Sequence, residues 1–130
     1  MKLLLDTCAF IWLATAPRQL SRGMLALYEN PGNEVYLSVA SAWEIAIKHR
    51  TGKLRLAGDL SPAEFVPEAR RRHGIEVLPL REEDSFVLGK LPPVHNDPFD
   101  RMLICQAIAN QMTLLTPDPL ITQYPVLTRW

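Results

Sequence analysis

Apolar residues in this chain occur as short continuous runs separated by longer stretches with a helical period. A short apolar run bounded by turn residues is typical of a strand buried on both faces of a sheet. Four runs have this character, at residues 1–5, 34–38, 75–80 and 112–116. The stretches between them are long enough to cross over a sheet, so the pattern predicts parallel strands alternating with helices.

Capping residues and prolines predict where the helices begin and end. Thr7 and Ser21 are placed to cap the first two helices, and Ser41 and Ser61 each stand three residues before a glutamate, as in a capping box. Pro67 should kink or split the helix that follows Ser61. The predicted helices cover residues 7–14, 21–29, 41–52, 61–74, 82–89 and 97–109, before a last short helix and a C-terminal edge strand.

Length and composition are those of one folded unit. The chain has 130 residues, of which 48% are hydrophobic and 22% charged, so it can bury a core. We therefore predict the α/β class, with one domain over residues 1–130 built on a mostly parallel central sheet of four to five strands flanked by helices. No run approaches the ~18 apolar residues of a membrane span, so no membrane partner is expected.

Charge and cysteine content limit the partners and the compartment. The 14 basic and 14 acidic residues cancel, so the chain has no net charge that would attract a polyanion. A nucleic acid would have to bind to a local basic patch. Basic clusters at residues 48–55 and 70–73 could do this, although solvated helix faces explain them nearly as well. Cys8 and Cys105 match no metal or disulfide pattern, which indicates a reducing cytoplasm, and Asp6 in the N-terminal apolar run argues against a signal peptide.

Carboxylates follow the predicted strands repeatedly. Asp6 ends the first strand, Glu44 lies in the first turn of the next long helix, Asp97 and Asp100 open the central helix, and Asp118 follows the fourth strand. The carboxyl ends of parallel strands share one edge of a sheet, so these acids should converge there. A pair of carboxylates ~4 Å apart repels by several kcal/mol at an effective dielectric near 20, so either the pKa values rise or a cation is held.

The donor types favour a hard cation. All five side chains offer oxygen, and neither cysteine nor paired histidine occurs at ligand spacing, so Mg²⁺ or Mn²⁺ is indicated. A carboxylate site of this kind suits phosphate chemistry, and it predicts a nuclease.

Each acid also has a structural interpretation. Glu44 completes a capping box and could pair with Lys48, Asp97 is a good N-cap, and Asp118 between two prolines could be a turn residue. Asp6 is the hardest to explain structurally, because buried acids are rarely unpaired. The joint placement of the five favours function.

The order of these motifs resembles a PIN domain, and more narrowly the VapC type of PIN-domain toxin, over essentially the whole chain. The residues that carry the resemblance are Leu3-Leu4-Leu5-Asp6-Thr7, Ser41-Ala42-Trp43-Glu44-Ile45-Ala46-Ile47-Lys48, Asp97-Pro98-Phe99-Asp100-Arg101 and Thr116-Pro117-Asp118.

The resemblance implies an Mg²⁺- or Mn²⁺-dependent endoribonuclease that is the toxin of a toxin–antitoxin pair. It further implies a cytoplasmic homodimer, with RNA as substrate and a small antitoxin whose C-terminal segment lies across the active-site groove. Carried over residue by residue, it assigns the catalytic acids Asp6, Glu44, Asp100 and Asp118. Asp6 and Asp100 would be the principal metal ligands, while Glu44 and Asp118 would hold water or a second ion.

Four further residues beside these acids receive supporting roles. Asp97 is the extra acid of this motif, as a metal ligand, a helix cap or a support for other ligands. Thr7 and Thr116 match hydroxyl positions that could orient a carboxylate or a water molecule, and both could equally be caps. Arg101 could meet a substrate phosphate or an antitoxin carboxylate, or form a structural ion pair.

Other residues and functions are weighed against this assignment. His95 is close to the acids and could touch substrate, but it is expected to be a loop histidine with no role in proton transfer. Phe10, Trp12 and Trp43 could line an antitoxin groove or a dimer face, but they are expected mostly in the core. Phosphoaspartate chemistry would need paired acids or Asp-x-Asp after the first strand, whereas Asp6 is followed by Thr7. A non-catalytic PIN-like module that binds RNA or protein is the main alternative function.

Overall fold

A computed structural model describes all 130 residues, with five β-strands and six α-helices. The strands are β1 (Lys2–Leu5), β2 (Glu34–Ser38), β3 (Glu76–Leu78), β4 (Thr113–Leu115) and β5 (Thr128–Arg129). The helices are α1 (Thr7–Thr15), α2 (Arg22–Glu29), α3 (Val39–Arg50), α4 (Pro62–His73), α5 (Glu82–Ser85) and α6 (Pro98–Ala109).

The strands form one sheet in the order β3-β2-β1-β4-β5, and every pair is parallel. The chain runs outward from β1 through β2 to β3 and then returns to β4 on the other side of β1. This reversal leaves a crevice outside the carboxyl ends of β1 and β4, where open α/β sheets bind ligands. The predicted α/β class and the C-terminal edge strand are confirmed.

The sheet is covered on both faces because successive strand residues point to opposite sides. Leu3 and Leu5 of β1 belong to a core cluster with Phe10, Met24 and Phe65 of α1, α2 and α4. Leu4, between them, belongs to a second cluster on the other face that includes buried residues of α6. The two clusters fix β1 at the centre of the molecule, so the residues that directly follow it are held rigidly.

Several predicted helix ends are confirmed. Ser21 caps α2, Asp97 caps α6, and Ser61 forms a capping box with Glu64 at the start of α4. The helix α4 ends at Gly74 in the left-handed conformation, φ 64°, which a glycine adopts without strain.

Two predicted caps are wrong. The N-cap of α1 is Asp6 rather than Thr7, and Asp6 Oδ1 accepts a hydrogen bond from Ala9 N–H at 2.7 Å. The N-cap of α3 is Ser38, so Ser41 and Glu44 lie inside that helix and form no capping box. The side chains of Ser41 and Glu44 instead face a threonine of α1, which local sequence does not reveal.

Two other expectations also differ from the structure. Pro67 does not split α4, which is one continuous helix; Pro67 is exposed, while its neighbours Phe65 and Val66 anchor the opposite face in the core. Among the aromatic residues, Phe10 is buried and Trp12 is partly buried, whereas Trp43 on α3 is 67% exposed.

None of the helices combines the length and the hydropathy needed to span a lipid bilayer.

Candidate active site

A cleft of about 450 Å³ lies at the crevice outside β1 and β4. All five predicted acids line it, so the structure brings together side chains from the ends of β1 and β4 and from α3 and α6. Two lysines also line the cleft, and its walls include apolar side chains. The lining residues are Asp6, Thr7, Cys8, Ile11, Trp12, Glu44, Lys48, Lys53, Leu54, Asp97, Asp100, Pro117 and Asp118.

Asp6 is buried at the floor of the cleft, with 5% of its surface exposed. The pKa of this carboxyl is raised to about 6, mainly by burial. The negative charges of Glu44 and Asp118 raise the pKa further. Hydrogen bonds from the Thr116 hydroxyl and the Ala9 N–H lower the pKa and only partly offset the burial. An ionised Asp6 therefore lacks a sufficient positive partner within the chain.

Glu44 is the second buried acid, and its two oxygens have different partners. Thr7 Oγ1 donates to Glu44 Oε1 at 2.7 Å and lies 2.9 Å from the Ser41 hydroxyl. Glu44 Oε2 pairs with Lys48 Nζ at 2.6 Å, one turn along α3, and this bond raises the pKa of the Lys48 ammonium. The predicted pairing with Lys48 is confirmed, and Thr7 orients an acid rather than capping a helix.

Asp97 and Asp100 are placed by the start of α6. Asp97 Oδ1 accepts hydrogen bonds from Phe99 N–H at 2.8 Å and Asp100 N–H at 3.1 Å, whereas its Oδ2 accepts none. Burial, followed by repulsion from Asp97 and Glu44, raises the pKa of the Asp100 carboxyl to about 6. Asp97 thus makes the predicted cap and also lines the cleft, with its Oδ2 free of hydrogen bonds.

Asp118 lies in a turn after β4. The Thr116 hydroxyl accepts a hydrogen bond from Asp118 N–H at 3.1 Å, and Asp118 Oδ1 accepts one from Leu120 N–H at 2.9 Å. Thr116 is thus linked both to Asp6 and to the turn that carries Asp118. Asp118 is a turn residue and a cleft residue at once.

His95 lies in a loop close to the acids, as predicted, but its two carboxylate partners were not predicted. Its Nε2 lies 2.8 Å from Asp100 Oδ2 and 3.4 Å from Asp118 Oδ2. These three side chains offer ligand atoms that lie within 4.8 Å of one another. The sequence signal was its position directly before the Asp97–Asp100 motif.

Arg101 lies away from the acidic cleft. It follows Asp100 along α6 but lines a separate, mostly apolar cavity between α5 and α6 together with Leu88 and Met102. It forms no ion pair within the chain, and its buried Nε has no hydrogen-bond partner. The structural ion pair considered for Arg101 is therefore not present.

The charge balance of the cleft fits a divalent cation. Five carboxylates face two lysines, and one of these lysines is already paired with Glu44. All the acidic donors are oxygens, which Mg²⁺ and Mn²⁺ prefer. Burial raises the pKa of the Cys8 thiol to about 12, so Cys8 is not a thiolate nucleophile.

Known proteins resemble this chain in sequence and in fold. A family model described as the PIN domain matches residues 3–127. Ribonuclease VapC16 of Mycobacterium tuberculosis is 43% identical over 53 residues, a match that covers 41% of this chain and 36% of that protein.

Two solved structures resemble the whole fold. The structure of VapBC2 from Rickettsia felis bound to a promoter DNA fragment contains a chain with a TM-score of 0.74 and 15% identity, covering 99% of this chain and 98% of that one. The structure of VapBC-1 from nontypeable Haemophilus influenzae contains one with a TM-score of 0.66 and 17% identity, covering 99% and 97%. At these identities the likeness concerns the fold.

Proposed function

This chain belongs to the PIN domain family, and we propose that it is a metal-dependent endoribonuclease that acts as the toxin of a toxin–antitoxin pair. The observation that carries the proposal is the convergence of five carboxylates from four chain segments in one cleft. The partial match to Ribonuclease VapC16 favours RNA as the substrate.

We propose Mg²⁺ or Mn²⁺ as the ion. Asp6 and Asp100 would be its principal ligands, and Asp97 would be a further one. When bound, the ion would activate water and stabilise negative charge on the leaving oxygen of the phosphodiester.

The other cleft residues bind and orient in this proposal. Glu44 and Asp118 hold the attacking water in line with the scissile bond, with Glu44 kept in place by Thr7 and Lys48. Thr116 orients Asp6, and Lys53 offers a charge to a substrate phosphate. The cleft is open to solvent and suits a single-stranded RNA segment whose backbone can enter it.

We also propose a homodimer and a small antitoxin that covers the cleft, in a reducing cytoplasmic compartment. The exposed Trp43 and Ile47, one turn apart on α3 beside Glu44, offer an apolar surface for a protein partner. Both cysteines are free, which is typical of a reducing compartment.

The test is cleavage of total cellular RNA by purified protein with Mn²⁺ or Mg²⁺, with a chelator, and with Asp100→Asn prepared identically. We expect discrete cleavage by the wild type only with metal, and a loss of at least 100-fold in the variant. Equal behaviour of the two preparations would reject the nuclease and favour a non-catalytic RNA- or protein-binding module.

A further inference from the structure

The imidazole of His95 lies between two acids that come from different parts of the fold. Its Nε2 is 2.8 Å from Asp100 Oδ2 in the first turn of α6 and 3.4 Å from Asp118 Oδ2 after β4. The ring is mostly enclosed, with 16% of the side chain exposed. One side chain therefore touches both carboxylates on this side of the cleft.

The partners of the two ring nitrogens differ in type. An ionised carboxylate only accepts hydrogen bonds, so Nε2 is the donor toward Asp100, while the N–H of Asp97 lies 3.4 Å from Nδ1. The Nε2–H therefore points to the two carboxylates. In this orientation Nε2 donates a hydrogen bond and has no lone pair to offer a metal ion.

The backbone of His95 is held as firmly as its ring. Its N–H donates to the hydroxyl of Tyr124 at 2.7 Å, and Tyr124 is 4% exposed. Two prolines, Pro92 and Pro93, precede this segment and restrict its conformation. The donor is therefore positioned before any ligand arrives, which reduces the entropy lost when the site is used.

We propose that His95 is a positioning residue, which holds the carboxylates of Asp100 and Asp118 together through its Nε2–H so that both can serve a divalent cation. The inference rests on the proposed function, because it concerns the same metal site. Without a shared donor the two like charges repel and separate. Groups that orient metal ligands in this way typically change metal affinity 10- to 100-fold when they are removed.

The test compares four variants of the full chain by the affinity for Mn²⁺, measured from the electron paramagnetic resonance signal of free Mn²⁺. His95→Gln places an amide N–H near the position of Nε2, whereas His95→Asn places its amide near Nδ1 and does not reach Asp100. His95→Ala removes both groups. His73→Ala is the matched control, because the ring of His73 makes no hydrogen bond.

We expect Mn²⁺ to bind His95→Ala and His95→Asn 10- to 100-fold more weakly than the wild type, with His95→Gln restoring most of the loss and His73→Ala unchanged. Equal affinity of the Asn and Gln variants would overturn the inference, since it would indicate a role in filling space. If the wild type and His95→Ala bind Mn²⁺ equally well, the inference about His95 is rejected while the proposed metal site stands. Absence of Mn²⁺ binding by the wild type would reject the metal site and the inference together.

A second measurement does not depend on metal. Long-range ¹H–¹⁵N spectra of the metal-free wild type at pH 7.5 should show a proton on His95 Nε2. An Nε2 without a proton would overturn the inference, even if the variants were too unstable to titrate.

Discussion

At the scale of single residues, Asp6 performs two tasks with one carboxylate. Its Oδ1 caps α1 through Ala9 N–H, and the same side chain lines the floor of the cleft. Burial raises its pKa to about 6, which means that the ionised form is held at a cost in free energy. Such a cost is typical of a functional position, where activity is retained at the expense of stability.

Asp6→Asn should therefore stabilise the metal-free protein. The folded carboxyl has a pKa of about 6 and an unfolded value near 3.8, so the ionised state destabilises the fold fully above pH 6 and not below about pH 4. Asparagine keeps an oxygen for Ala9 N–H and carries no charge. We expect about 1–3 kcal/mol of added stability at pH 7.5, falling away as the pH drops through 6, in urea unfolding with chelator.

The control for this measurement is Asp59→Asn, which changes an exposed acid. It should leave the free energy of unfolding nearly unchanged at every pH. A wild type and an Asp6→Asn variant with equal stability at both pH 7.5 and pH 4.5 would show that burial does not penalise this carboxylate.

How far single residues could be predicted depends on how local their partners are. Asp6 and Asp118 were found because they directly follow strands, and the other three acids because they lie near predicted helix starts at the edge that the strand ends share. The bonds of His95 could not be predicted, because its partners Asp100 and Asp118 lie five and 23 residues away and meet it only in the folded chain. Arg101 follows Asp100 directly but lines another cavity, because adjacent residues of a helix lie on different faces.

At the scale of elements, buried polar contacts connect the helix ends to the sheet. Gln106 of α6 is fully buried, its Oε1 accepts a hydrogen bond from the Ser38 hydroxyl, and its Nε2 donates to Pro79 C=O at 3.1 Å. Ser38 also caps α3 by accepting from Ala40 N–H at 2.9 Å. One glutamine thus ties α6, which carries Asp100, to the start of α3, which carries Glu44.

Gln106→Leu should destabilise the protein by about 1–3 kcal/mol, because Ser38 and the Pro79 carbonyl lose buried hydrogen-bond partners while the volume is nearly conserved. Thermal or urea unfolding measures the change. Gln19→Leu, at an exposed position, is the control and should have an effect within about 0.5 kcal/mol. A Gln106→Leu variant as stable as the control would mean that these contacts contribute nothing net.

The helix ends that the sequence predicted correctly are those whose capping partners are close in sequence. Ser61 and Glu64 face only solvent and each other, so their capping box is decided locally. Ser41 and Glu44 have the same spacing, but both form hydrogen bonds with Thr7 of α1 instead of a capping box. The helix α3 begins earlier, because Ser38 at the end of β2 is its N-cap. The local capping pattern therefore gives the wrong helix start where side chains of the cleft form tertiary hydrogen bonds.

At the scale of the whole molecule, the proposed ion would connect distant segments. Its ligands would come from the end of β1, from α6 and, through water, from α3 and the end of β4. A ligand that binds only the folded state stabilises it by mass action, about 2.7 kcal/mol at 100 times the dissociation constant. Metal should therefore act on global unfolding rather than on one loop.

Mn²⁺ in excess should raise the melting temperature of the wild type relative to protein in chelator at pH 7.5. Asp100→Asn should show a smaller rise, because a principal ligand is lost. Differential scanning fluorimetry measures both. An equal rise in the two proteins would point to binding elsewhere on the surface.

The balanced charge of the molecule predicts weak salt dependence for RNA binding. With 14 basic and 14 acidic residues the chain has no net attraction for a polyanion, and only Lys48 and Lys53 line the cleft as cations. The logarithm of the binding constant for single-stranded nucleic acid falls with the logarithm of salt concentration by about 0.7 per neutralised phosphate. Lys48 is paired with Glu44, so the single contact made by Lys53 gives a slope of about −0.7, far shallower than that of a strongly basic nucleic-acid-binding protein.

This slope can be measured with Asp100→Asn, which should bind a single-stranded RNA without cutting it, by fluorescence anisotropy over a KCl series at fixed low Mg²⁺. Adding Lys53→Met should reduce the slope by about 0.7, because one phosphate contact is lost. Adding Lys90→Met, at an exposed position outside the cleft, should leave it unchanged. If both lysine changes reduce the slope equally, RNA is held by charge spread over the surface, and the cleft does not direct its binding.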